Sequence, residues 1–280
     1  DKKLVQRGKN LQAAVVSIDN KSGAVRVMIG GTSYEKSQFN RALSTNRMVG
    51  SSFKPVVYMS AMQNLGYHPG TVLVDEPMLF ELPHNKKWEP ANYNDEYMGP
   101  VVLKKALAKS LNVISAKLIF KVQPKKVVQT ARKFGFTSPL HENYSLALGA
   151  TGASPLELAS AYSTIANLGE HIDPFYVSKI EDYQGNVLYE HFIEGEKRFE
   201  PDEIYPLLDM MQGVMDDGSG RVIRRMGFKH PAAGKTGTTN AFRDAWFTGF
   251  TKDLTTSVWV GYDDNESMFR PNEKGVTGAH

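Results

Sequence analysis

Hydrophobic and polar positions divide the chain into a strand-rich beginning, a helical middle and a strand-rich end. Leu11–Ile18 and Ala24–Ile29 are short apolar runs joined by Asn20-Lys-Ser-Gly23, a pattern that predicts a β-hairpin ending at Gly30-Gly31. Residues 52–64 predict a helix. Pro55 is tolerated only in a first turn, where its missing N–H costs nothing, so that helix must begin close to Ser51. Residues 66–99 are punctuated by Pro and Gly and predict a loop, with Trp88-Glu-Pro90 and Asn92-Tyr93 as ordered landmarks. Apolar residues then recur at three- and four-residue spacing over Val101–Lys109, Val113–Val122 and Lys125–Phe134, which predicts three helices. Ser154-Pro-Leu-Glu157 reads as a capping box with proline at the first helical position, opening a helix that stops at Gly169. A second hairpin is expected over 175–190 around Gln184-Gly185, and helices over 206–216 and 219–226. Asp244–Phe250 and Thr255–Gly261 are rich in β-branched and aromatic residues and predict strands of an antiparallel meander.

Strands open and close the chain while helices fill its middle. That order predicts an α+β fold: an antiparallel sheet built from both chain ends, flanked by helices, with an inserted helical subdomain. The sheet lobe is expected over about 1–50 and 171–280 and the helical lobe over about 66–170, with a site where the lobes meet. At 280 residues the chain is long enough to bury a sizeable core without covalent staples. It has no cysteine, which excludes disulfides, thiol catalysis and zinc–thiolate sites. The 33 basic and 30 acidic residues nearly balance, so Lys104-Lys105, Lys125-Lys126 and Arg224-Arg225 are expected to be solvated helix faces and no nucleic-acid partner is implied. No apolar run reaches the ~18 residues of a membrane span, and DKKLVQRGKN is not a signal peptide. The seven histidines, scattered without paired spacing, are expected on the surface or in packing, and no metal or cofactor is implied.

Two chemistries compete for one lysine. Gly234-Lys235-Thr236 ends like a phosphate-binding P-loop, but the preceding glycine is Gly227 and six residues, Phe228 to Ala233, intervene. That is too many for the P-loop spacing, Pro231 has no N–H to offer, and strands rather than a helix follow. The alternative is Lys235-Thr236-Gly237 on a strand. It is accompanied by Ser51-Ser-Phe-Lys54, which puts a serine at a helix start and a lysine one turn later on the same face. Such a lysine can take the serine proton if it is neutral, and burial or a second cation nearby would lower its pKa far enough. A serine there also aims its backbone N–H at a reacting carbonyl, one half of an oxyanion hole. Alone, Ser-x-x-Lys is weak, since roughly one is expected per chain of this size. Ser33-Tyr-Glu-Lys36 is a second match, but it reads as a turn after the hairpin. Ser-x-Asn also occurs twice, at Ser44-Thr-Asn46 and Ser110-Leu-Asn112. Order and context supply the specificity: Ser51–Lys54 opens a helix, Ser110–Asn112 lies between two helices, and Lys235–Gly237 lies on a strand near the end.

With those three motifs the chain resembles the transpeptidase domain of class A (bifunctional) penicillin-binding proteins, whose fold is that of serine β-lactamases and transpeptidases. The resemblance extends through Gln38–Ala42, Val49–Pro55, Trp88–Tyr93, Ala106–Asn112, Ala147–Gly149, Ala161-Tyr162, Ala166-Asn167, Ala233–Asn240 and Asp244–Phe247. It implies an acyl transfer in the cell wall. Ser51 would attack the penultimate D-alanine carbonyl of a peptidoglycan stem peptide and expel the terminal D-alanine. The amine of a neighbouring stem would then take the acyl group in a 4,3-type cross-link, with carboxypeptidase as a side activity. Lys54 would be the general base, Ser110 would relay a proton to the leaving amine, and Asn112 would hold Lys54 and the substrate amide. Lys235, Thr236 and Thr238 would receive the substrate carboxylate, and the charge of Lys235 would help keep Lys54 neutral. The Thr238 N–H would complete the oxyanion hole, a donor whose loss typically costs about 3 kcal/mol. Gly237 would let the substrate lie alongside the strand. β-Lactams would be inhibitors acylating Ser51. The natural full-length protein would be membrane-anchored, with this domain on the outer face of the bacterial cytoplasmic membrane, in the cell envelope.

The resemblance has departures. No glycosyltransferase signature is present, and the chain stops at Val276–His280, where the family continues into a C-terminal helix against the sheet, so a fragment with an underpacked sheet face is expected. Ser219 and Ser52 stand where threonine is commoner. The nearest rivals are a serine β-lactamase and a non-catalytic β-lactam-sensing relative. Trp88 and Tyr93 fit either a substrate groove or packing of the long loop. A class A β-lactamase activates water with the glutamate of a Glu-x-x-Leu-Asn loop. No glutamate between Asn112 and Lys235 begins such a sequence, and Glu157 is assigned to the capping box.

Overall fold

The computed structural model describes residues 11–44, 46–82 and 85–268. The expectations on residues 1–10, on Thr45 of the second Ser-x-Asn match and on Val276–His280 lie outside them.

Strands β1 (Gln12–Asp19) and β2 (Val25–Ile29) form the expected hairpin. A single 3-10 turn, Gly50–Phe53, then leads into helix α1 (Lys54–Leu65), with Pro55 in its first turn and Gly66 closing it at φ 65°. From Lys54 to Ala61 every residue of α1 is buried, so this is a core helix rather than an amphipathic surface one.

The segment 66–99, expected to be loop, contains short strands. β3 (Val72–Asp75) pairs with β4 (Gly99–Val102), and Phe80–Leu82 pairs with Lys86–Trp88. Val101 and Val102 therefore begin as strand, and helix α2 starts only at Leu103 (Leu103–Ala108). Pro69, Pro77 and Pro90, which argued for loop, stand outside these strands, and Pro100 lies within a two-stranded ladder that leaves one edge unpaired.

Helices α3 (Asn112–Val122), α4 (Pro124–Lys133) and α5 (Pro155–Ala166) follow. Ser154 caps α5 by accepting the Glu157 N–H at 3.2 Å. The reciprocal half of the box is absent. The Glu157 carboxylate instead accepts the N–H groups of Thr137 and Ser138 at 2.6 and 2.7 Å and the Ser138 hydroxyl at 2.5 Å, tying the loop after α4 to the start of α5.

The hairpin Lys179–Glu181/Val187–Glu190 forms as expected. Helix α6 (Pro201–Asp216) begins five residues before the expected 206. Glu200 and Glu203 make the capping box there, Pro201 takes the first turn, and Pro206 lies inside the helix rather than at its start. The helix expected over 219–226 shrinks to Val222–Arg225, because Gly218 to Gly220 form a pinned turn.

β5 (Ala233–Thr238), β6 (Asp244–Phe250) and β7 (Leu254–Gly261) complete a five-stranded sheet in the order β5-β6-β7-β1-β2. The two chain ends meet in register from Gln12↔Gly261 to Asp19↔Leu254. One face of the sheet offers Ala14, Val16, Ile18, Trp246 and Trp259, all buried, against α5, whose Leu158, Ala159, Tyr162 and Ile165 are likewise buried. Fully burying a side chain such as Val16 or Ile18 contributes about 1.5–3 kcal/mol. α6 packs on β5 and α2, which sets the free edge of β5 beside the helices carrying the serine motifs.

Candidate active site

Three elements bring the predicted residues together: the start of α1, the turn between α2 and α3, and the edge strand β5. Ser51, Ser110, Asn112, Thr236 and Thr238 line one cavity of about 550 Å³. Lys54 and Lys235 lie fully buried beneath it. The turn at Gly50–Phe53 is held by the Tyr162 hydroxyl of α5, which donates to Ser52 O at 2.7 Å. Close approach of β5 to this turn requires Gly237: a Cβ there would come within 2.4 Å of Ser52 Oγ and 2.5 Å of Val49 O. Gly237 was expected to make room for substrate; its missing side chain makes room for the helix start. Thr238 lies against Gly50, where a Cβ would meet Thr238 O at 2.5 Å.

Lys54 Nζ makes three short contacts, to Ser110 O at 2.6 Å, Asn112 Oδ1 at 2.7 Å and Ser110 Oγ at 3.2 Å. The first two atoms are acceptors only, so they engage two N–H groups. A neutral amine has two N–H groups and one lone pair, and this arrangement leaves the lone pair for a hydroxyl. Burial, and then the charge of Lys235, hold Lys54 well below the ordinary lysine range. Lys235 Nζ donates to Ser110 Oγ at 2.9 Å and Thr236 O at 3.1 Å, and burial lowers it to about 7. Ser110 thus stands between the two amines. Its φ of 59° is unusual for a residue with a side chain and turns the chain sharply between α2 and α3. Thr236 Oγ1 lies 2.6 Å from Ser219 Oγ, so the serine found in place of threonine still supplies a hydroxyl partner.

Two residues that position the Ser110–Asn112 turn had no such role assigned from the sequence. Asn92 Oδ1 accepts the N–H groups of Asn112 and Val113 at 2.8 and 3.3 Å, capping α3 from outside the helix. Its Nδ2 donates to both oxygens of the buried Asp75, at 3.0 and 2.9 Å. Asp75 also accepts the Met98 N–H at 3.0 Å. The 66–99 segment therefore orients the Ser110–Asn112 turn. Asn92 was visible as a landmark beside Tyr93, but no spacing rule ties it to Asn112. Trp88 and Tyr93 separate: Trp88 stacks with Phe80 and Phe120 in loop packing, whereas Tyr93 is 70% exposed and lines the cavity. Ser33–Lys36 lies at an exposed turn, as expected. Of the basic pairs, Lys104 bonds Asp209 at 2.8 Å, Lys105 pairs with Asp217, Lys125 and Lys126 are exposed as expected, and Arg225 is exposed at the mouth of the cavity.

Residues 13–268 match the family described as penicillin binding protein transpeptidase domain. The chain is 39% identical over 259 residues to penicillin-binding protein 1A of Aquifex aeolicus, covering 92% of this chain and 35% of that protein. It is 34% identical over 321 residues to penicillin-binding protein 1A of Pseudomonas aeruginosa, covering 96% and 39% respectively. The chain thus spans little more than a third of the length of these curated relatives. Among solved structures, penicillin-binding protein 1A from Haemophilus influenzae superposes with a TM-score of 0.90 at 29% identity, over 96% of this chain and 45% of that one. The PonA1 protein from Mycobacterium tuberculosis, in complex with penicillin V, gives 0.82 at 26% identity, over 99% and 78%.

Proposed function

Because the chain belongs to the family of penicillin-binding protein transpeptidase domains, we propose that it cross-links peptidoglycan stem peptides by acyl transfer through Ser51 and is acylated by β-lactams. The observation that carries this reading is the placement of Lys54: a buried amine held by Ser110 O and Asn112 Oδ1 at 2.6 and 2.7 Å, three residues after Ser51 at the start of the same helix.

The stem peptide lies along the free edge of β5 as an added strand. Its terminal carboxylate meets Lys235 and the hydroxyls of Thr236 and Thr238. Ser51 Oγ attacks the penultimate carbonyl as its proton passes to Lys54. The oxyanion is met by the N–H groups of Ser51 and Thr238. Collapse breaks the peptide C–N bond, and Ser110, hydrogen-bonded to both lysines, gives its proton to the departing D-alanine nitrogen as it takes from Lys54 the proton that came from Ser51, which leaves Lys54 neutral again. The amine of a second stem then attacks the Ser51 ester, the C–O bond breaks, and the amine proton returns to Ser51 Oγ by way of Lys54.

The substrate is D-Ala-D-Ala-terminated peptide, and the sheet and helical lobes flank it. In the full-length protein this chemistry belongs at the cell envelope. To test the reading, a stem pentapeptide ending in D-Ala-D-Ala is supplied with an amine acceptor, and D-alanine release and amide formation are followed. The chain should yield both products and Lys54→Ala neither. D-Alanine release undiminished in Lys54→Ala would overturn the proposed base.

A further inference from the structure

Among the described residues the buried carboxylates are Asp75, which acts through Asn92 on the Ser110–Asn112 turn, and Asp244. Asp244 opens β6, is 2% exposed and lies behind a different part of the site. A buried carboxylate is costly unless its oxygens are met, and those of Asp244 are met from three directions. Oδ1 accepts the Trp259 indole N–H at 2.9 Å, Oδ2 accepts the Thr239 hydroxyl at 3.2 Å, and Arg47 Nη1 stands 3.8 Å from Oδ1. Burial raises the Asp244 pKa, and the Trp259 N–H, the Arg47 charge, the Thr239 hydroxyl and the Arg243 charge oppose that rise.

The partners of Asp244 lead to both donors of the oxyanion. On one side, Thr239 directly follows Thr238. Thr239 N–H donates to Asp244 O at 3.2 Å, and Asp244 N–H donates to Thr239 Oγ1 at 2.9 Å. With the hydroxyl contact these bonds fix the peptide unit that joins Thr238 to Thr239 at the end of β5. On the other side, Arg47 lies four residues before Ser51. Arg47 Nη2 donates to Tyr262 O and Asp263 O, both at 2.8 Å, and the guanidinium lies 5.3 Å from the centroid of the Trp259 ring. Trp246 of β6 adds a tether, donating its indole N–H to Met48 O at 2.9 Å. Between the two sides the backbones touch: a Cβ on Gly50 would lie 2.5 Å from Thr238 O and 3.3 Å from Thr238 N.

We propose that Asp244 is a positioning residue for the reaction: by holding Thr239 on one side and Arg47 on the other, it sets the spacing of the Ser51 and Thr238 N–H groups that receive the oxyanion. This rests on the acyl-transfer reading above. The two donors belong to separate chain segments, and each must point to where the oxygen of the tetrahedral intermediate will stand. A displacement of ~1 Å can cost about a hundredfold in rate. An apolar residue at 244 would fill the same space but would bond neither the Thr239 hydroxyl nor the Trp259 N–H, and would leave the Arg47 charge without its buried counterpart. Asp244 itself does not line the cavity, so its effect reaches the reaction through the backbone of its neighbours.

The test forms the penicilloyl adduct with benzylpenicillin isotopically labelled at the β-lactam carbonyl and reads the ester C=O stretch by infrared difference spectroscopy. Hydrogen bonds from the oxyanion donors weaken that bond and lower its frequency. Asp244→Asn removes the charge facing Arg47 and the acceptor of the Thr239 hydroxyl, and it should move the band to higher frequency. Thr239→Val should do the same, and Thr239→Ser should leave the band in place. In the first two variants the acylation rate constant at saturating penicillin should fall about tenfold. The half-saturating concentration should change by less than about threefold, the split expected when an interaction made only in the transition state is weakened. A loss of folding stability alone would reduce the amount of adduct but leave its band where it was. A band unmoved in both variants would overturn the proposal, and so would a loss of rate that appears wholly in the half-saturating concentration. Should Asp244→Asn not fold, Thr239→Val carries the test, because Asp244, Trp259 and Arg47 all remain in it. A wild-type chain that takes no acyl group at Ser51 would instead remove the acyl-transfer reading, and this one with it.

Discussion

Lys54 and Lys235 approach one hydroxyl from two sides, Ser110 Oγ lying 3.2 Å from the first amine and 2.9 Å from the second. Both side chains are fully buried, so two full charges at such range are disfavoured by desolvation and by mutual repulsion. The two amines then divide the work. In the proposed reaction Lys54, depressed by burial and by the charge of Lys235, is the one to accept a proton, and Lys235 is the one a substrate carboxylate would keep charged.

The division has a sign that can be measured. Acylation requires neutral Lys54, so its rate rises with pH through the Lys54 pKa. Lys235→Ala removes the smaller of the two influences that depress that pKa, burial being the larger. The acidic limb of the penicillin acylation profile should therefore move to higher pH, and ligands that carry the carboxylate should lose the most rate. A limb that stays in place or moves lower would show that the Lys235 charge does not tune Lys54.

Asn92 should matter to the Ser110–Asn112 turn although it does not line the cavity. Asn92→Ala removes the one oxygen that accepts two N–H groups at the start of α3 and leaves Asp75 with fewer partners in a buried place. Unsatisfied buried polar groups cost about 1–3 kcal/mol each, so the thermal midpoint should fall and acylation should slow together. Asn92→Asp keeps the acceptor but sets a carboxylate against Asp75, and it should be worse at neutral pH and partly recover as pH falls. Equal stability of both variants at pH 5 and pH 8 would contradict this role.

Deacylation separates this chain from a β-lactamase. Among the described residues no glutamate lines the cavity, and Glu157 is fully engaged at the base of α5. Once free drug is removed, the penicilloyl adduct should persist for many minutes. Glu157→Ala should lower the thermal midpoint without changing adduct lifetime. Loss of the adduct within seconds, with turnover of excess penicillin, would favour the β-lactamase.

The sheet and most helices were legible because their signals are local. Alternation in β1 and β7, the position of Pro55, and the three-and-four spacing of α3 and α4 each need only neighbouring residues. The three motifs of the proposed site were legible for a related reason, since each is short and sits on or beside one element. What escaped depends on partners far apart in sequence. β3 is stabilised by β4 some 25 residues on, so prolines between them read as loop. Glu157 had a local explanation as a cap, yet its carboxylate is taken by Thr137 and Ser138. That Ser52 packs against Gly237 likewise escaped, because nothing local announces it.

The central claim is that Ser51 alone carries the acyl group, and intact mass after incubation with benzylpenicillin tests it most directly. The chain should gain one penicilloyl group. Ser33→Ala and Ser52→Ala should still be labelled, and Ser51→Ala should remain at its unmodified mass. Labelling that survives Ser51→Ala would contradict the account.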